Sequence, residues 1–131
     1  MRILLLLALT FIFCQCRQKP SYSLDDIGGN WFRTESTDYR SDSMILYIEG
    51  DSAKISYLPN GSNFKDDQLK WTDITPISRD ASSIRNDFNL LDLSSDGKRY
   101  ESVIFLKDDT ITLINYNYPF ALGGIQKWVR N

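Results

Sequence analysis

The chain of 131 residues has no histidine, and its only cysteines, Cys14 and Cys16, stand within the first sixteen positions. Catalysis by a serine–histidine or cysteine–histidine pair needs an imidazole as base, so both are excluded. Histidine metal sites go with them. Beyond residue 16 the chain also excludes thiolate nucleophiles, zinc–cysteine sites and an internal disulfide. Positive charge is not gathered anywhere: fifteen basic residues are interspersed with seventeen acidic ones. Without a basic stripe, nucleic-acid binding has no electrostatic support. No apolar run approaches the roughly 20 residues that span a bilayer. Internal repeats, low-complexity tracts and sustained helical periodicity are missing too. A protein so composed is expected not to be an enzyme, and to hold no metal and no cofactor.

What is present begins at the start. Met1-Arg2 is followed by eleven uncharged, mostly apolar residues, Ile3 to Phe13, and then by Arg17 and Lys19. A basic start and a short apolar core, with polar flanks, predict a secretory signal over residues 1–16. A cysteine at the border between that core and the polar stem Arg17-Gln18-Lys19-Pro20-Ser21 resembles the lipobox of bacterial lipoproteins. The resemblance implies that Cys16, or else Cys14, carries acyl chains. Each methylene buried in the bilayer would contribute about 0.8 kcal/mol to anchoring. The expected location is the periplasmic face of a bacterial membrane, inner or outer. With ordinary signal cleavage the protein would instead be secreted.

Residues 17–27 form a polar tether, and 28–131 are enough for one domain. Within it, short apolar alternations are separated by turn residues, the pattern of strands. Eight strands are predicted, over 29–34, 44–48, 53–58, 68–75, 84–93, 99–106, 110–116 and 125–130. In the fourth, Leu69 and Trp71 are expected to share one face. In the fifth, the inward phase shifts between Phe88/Leu90 and Leu91/Leu93, which predicts a bulge. Ser95-Asp96-Gly97-Lys98 is an Asp-Gly hairpin turn. The fold class is all-β, an antiparallel meander of eight strands that removes its edges by closing into a barrel.

Gly29-Asn30-Trp31 opens the first strand, and Lys127-Trp128-Val129-Arg130 closes the last. A Gly-x-Trp at strand one with an arginine in the final strand resembles lipocalins and small bacterial lipocalin-like lipoproteins. The resemblance implies that Trp31 and Arg130 close the barrel floor as a cation–π pair, worth roughly 0.5–2 kcal/mol.

Fifteen aromatic residues lie beyond the apolar start. Tyr57, Trp71, Phe88 and Phe105 are the candidate lining of a pocket for a small apolar ligand, while most of the aromatic side chains are expected simply to fill the core. Tyr116-Asn117-Tyr118-Pro119-Phe120-Ala121-Leu122 is an aromatic loop, either a plug over one barrel end or a contact patch. Asp66-Asp67 and Asp108-Asp109 fall in turns, and neighbours of this kind do not face each other across a cleft. The expected function is therefore an exported, lipid-anchored, lipocalin-like binder of a small apolar ligand. The alternative is an inhibitor or immunity-type protein that binds a partner protein through its loops. Oligomeric state is left open.

Overall fold

The computed structural model describes residues 23–37, 43–77, 86–121 and 123–131. The signal, Cys14, Cys16, the first half of the tether and Leu122 lie outside them. The described chain enters the barrel through a 3-10 turn, Leu24–Ile27. Ser23 caps it: the Ser23 hydroxyl accepts from the Asp25 N–H, and the Asp26 carboxylate accepts from the Ser23 N–H. These reciprocal bonds form a capping box.

Eight strands follow: β1 Gly29–Ser36, β2 Ile45–Glu49, β3 Ser52–Tyr57, β4 Leu69–Pro76, β5 Asn86–Leu93, β6 Arg99–Lys107, β7 Thr110–Asn115 and β8 Ile125–Arg130. Each pairs antiparallel with its sequence neighbour, and β8 returns to β1, which closes the barrel. Every expected strand is present, with ends moved by one or two residues. The turns explain the tight meander. Gly50 and Asp51 form a two-residue connection between β2 and β3, with Gly50 at φ 60°, a conformation that glycine adopts without penalty.

Side chains alternate between interior and surface along each strand. The interior collects Trp31, Leu46, Ile48, Ile55, Trp71, Phe88, Leu90, Ile104, Ile111, Leu113 and Trp128. Trp71 and Trp128 meet edge to face at 5.4 Å. Three tryptophans and a phenylalanine fill most of what eight strands can enclose, since a barrel of that size has room for little more than its own side chains.

Two expectations are corrected. The fifth strand carries no bulge against β6; its register runs unbroken from Asn86 opposite Leu106 to Leu93 opposite Arg99. Its inward set is Phe88, Leu90 and Asp92, so a carboxylate occupies the place where the pattern sought a leucine. The irregularity lies on β4, between Thr72 and Thr75, with Asp73 at φ 55°. On the same strand Leu69 is exposed, whereas Lys70 and Trp71 are both buried. A register shift against Ala53/Lys54 turns the lysine inward.

Candidate functional site

The two ends of the barrel differ. One, the floor, lies where the chain enters. Arg130 stands 4.4 Å from the Trp31 ring centroid. It donates to the Gly28 carbonyl, to the Asp26 carbonyl (2.9 Å each) and to the Asp109 carboxylate (3.0 Å). The Trp31 indole N–H donates to the Ile27 carbonyl at 2.8 Å. Trp31 and Arg130 are thus brought together with the 3-10 turn, and the floor is shut.

The other end is the mouth. Moving along the strands toward it, the inward positions change from apolar to polar. Trp31 is followed by Arg33 on β1, Leu90 by Asp92 on β5 and Leu113 by Asn115 on β7; on β8, Trp128 is preceded by Gln126. Lys70 of β4 joins them. All five are buried, and together they form a polar layer over the apolar core.

Lys70, 1% exposed, is the hub. Its ammonium pairs with Asp92 Oδ1 at 2.6 Å, donates to the Leu93 carbonyl, and lies 4.8 Å from the Phe64 ring centroid. Burial pulls the Lys70 amine below the ordinary lysine value; Asp92 opposes this, and Arg33 and Arg99 add to it. Gln126 Nε2 donates to the other Asp92 oxygen at 3.2 Å and to the Gly123 carbonyl at 2.7 Å. Both its N–H groups are thereby used, which fixes the amide orientation. Among the described residues its buried Oε1 has no hydrogen-bond donor, and the buried indole N–H groups of Trp71 and Trp128 have no acceptor. Arg33 stacks over the Trp128 ring at 5.5 Å.

Above this layer is a cavity of about 350 Å³, within the range of small-molecule sites. Arg33, Lys70, Asp92, Asn115 and Gln126 all line it. Phe64 from the β3–β4 loop, Tyr100 from β6 and Tyr118 from the β7–β8 loop also border it. The Tyr100 and Tyr118 rings meet edge to face at 5.9 Å. The Tyr100 hydroxyl donates to Asp96, which holds that carboxyl below its ordinary range and raises the phenol.

None of the four residues expected to line a ligand pocket lines this cavity. Trp71 and Phe88 are fully buried in the core, Phe105 is half-buried on the barrel's outer face, and Tyr57 is 51% exposed at the end of β3. The residues that do line it were missed because a hydrophobic search passes over polar side chains. For Arg33, Asp92, Asn115 and Gln126 the signal was nevertheless in the sequence, as polar residues in the inward phase one position mouthward of apolar ones. In the aromatic loop Tyr116 and Tyr118 are exposed and Phe120 is 92% exposed, so these rings do not fill the barrel end, although Tyr118 borders the cavity. Asp66, Asp67, Asp108 and Asp109 stand exposed in turns, and no cluster of carboxylates suited to a metal occurs among the described residues.

No protein-family model matches this chain, and no curated protein or solved structure matches it significantly.

Proposed function

We propose that this protein is an exported, lipocalin-like binder that holds a small molecule in the mouth of its barrel, without catalysis. The observation that carries the reading is the mouth cavity itself. It is a concave space floored by ordered, buried polar groups and rimmed by aromatic rings, which is how ligand sites are built. A barrel needing only to fold would fill this end as it fills the other. Burying Lys70 and Asp92 is costly, and a well-packed apolar pair would serve stability as well or better. Retaining them favours recognition of a polar group, so the ligand proposed has a polar head rather than being wholly apolar.

Anchoring at Cys16 fits this reading in one respect. The described chain begins at the floor, at the opposite end from the mouth. A lipid on the tether would hold the floor toward the membrane and present the mouth to the periplasm. The ligand would then be captured from water rather than from the bilayer.

A second reading rests on Phe120. A phenylalanine standing in water beside Tyr116 and Tyr118 favours a partner protein gripped by the loops, as an inhibitor or immunity-type protein would do. Native mass spectrometry of protein purified gently from the exporting cell separates the two. A discrete extra mass of a few hundred daltons, lost on denaturation, is the expected result. A bare protein mass contradicts the small-ligand reading and favours the partner.

A further inference from the structure

Resting on the mouth as a ligand site, we infer that its ligand is a small organic carboxylate borne on a flat, aromatic or otherwise apolar body. The wall offers donors and has few acceptors to spare. Asn115 gives the most direct evidence. Its Oδ1 accepts from the backbone N–H groups of Asn117 and Tyr118, at 3.1 and 3.0 Å. These bonds set the amide with its oxygen toward the loop. The amide nitrogen, with two N–H groups, donates to none of the described residues, although Asn115 is 8% exposed and lines the cavity. An acceptor arriving there meets two N–H donors that the described residues do not use.

Most of the neighbouring acceptors are already engaged, although Gln126 Oε1 has no donor among the described residues. Asp92 receives Lys70 on one oxygen and Gln126 on the other; the Leu93 and Gly123 carbonyls receive Lys70 and Gln126. The donors of Arg33, Lys70 and the Asn115 amide outnumber that acceptor along the wall, so the favoured ligand head brings mainly oxygens. Two cationic side chains, Arg33 and Lys70, face it across the same cavity. Arg33 and Arg99 both bear on the Lys70 ammonium against Asp92, and an anion in the cavity relieves that repulsion. A carboxylate suits this wall because its two coplanar oxygens accept from several donors at once, and bonds to charged donors are the stronger kind. The outer part of the cavity is bordered by Phe64, Tyr100 and Tyr118. Aromatic rings there match a flat apolar body better than a polyol or an extended chain.

The test uses 2-naphthoate and 2-naphthamide, which share rings and shape but not charge. Each is titrated into the ¹⁵N-labelled full-length protein while the side-chain NH₂ signals of Asn115 are followed. Naphthoate is expected to shift those signals saturably and to bind at least about tenfold more tightly than the amide. Arg33→Gln should narrow that ratio, and Arg33→Lys, which keeps the charge, should retain it. Binding of both probes with equal affinity overturns the carboxylate inference while leaving the mouth as a ligand site. If neither probe binds and the Asn115 signals stay unmoved, the inference falls; a bare native mass would then remove the reading beneath it as well.

Discussion

Lys70 is the residue on which the interior turns. It carries a charge into a barrel whose other contents are mainly apolar, and Asp92 and the Leu93 carbonyl receive it. Lys70→Met would leave the Asp92 carboxylate buried with Gln126 as its remaining partner, and should cost about 3–5 kcal/mol in urea unfolding. The double variant Lys70→Met/Asp92→Leu should recover most of that loss. If the double variant is instead as unstable as the two single losses added together, the pair is not the unit described. The pH dependence has a definite sign. The Lys70 amine is lowered in the folded state, chiefly by burial. Between that lowered value and the ordinary lysine value the unfolded chain binds the additional proton, so stability rises with pH across the interval. Lys70→Met should remove that rise. A residue-by-residue search for hydrophobicity could not have found Lys70, because its inward direction comes from a register shift and not from its side chain.

The strands themselves were legible in outline. Period-two alternation located all eight, since each covers a core with one face while the other meets solvent. The reading failed where a polar residue took an inward place: with Asp92 inside, Leu91 and Leu93 looked like a change of phase, and with Lys70 inside, Leu69 looked like core. The loops at the mouth were less legible, because their shape depends on contacts between distant chain segments. The β7–β8 loop shows this. A Cβ added at Gly124 would lie 2.3 Å from the Tyr118 carbonyl oxygen and 2.6 Å from that of Pro119, closer than real atoms approach. Gly124 also accepts the Asn115 backbone N–H at 2.8 Å. Gly124→Ala should therefore force the loop open, lower stability by about 1–3 kcal/mol, and speed hydrogen exchange at the Asn115 amide. Unchanged exchange there would mean that the close approach does not exist in solution.

At the scale of the whole molecule, the barrel divides along its axis. Its floor half is a packed core closed by Arg130 over Trp31, and its mouth half is a cavity over a polar layer. Of the aromatic residues that suggested a pocket, Trp71 and Phe88 belong to the packed half, because a barrel of eight strands is nearly filled by three tryptophans and a phenylalanine, while Tyr57 and Phe105 face outward. What remains for function is the open end. That division makes the central claim testable by blocking one end. Ala121 lines the cavity and is exposed, and its backbone carbonyl, which accepts from the Thr37 hydroxyl at 2.7 Å, is unaffected by a change of side chain. In Ala121→Trp the indole should occupy the mouth while the core stays intact. Native mass spectrometry of wild type and Ala121→Trp, purified side by side, is the most direct measurement. The ligand mass carried by the wild type should vanish from the variant, with the melting temperature changed by no more than about 3 °C. A variant that folds equally well and still carries that mass would place the ligand elsewhere and contradict the account.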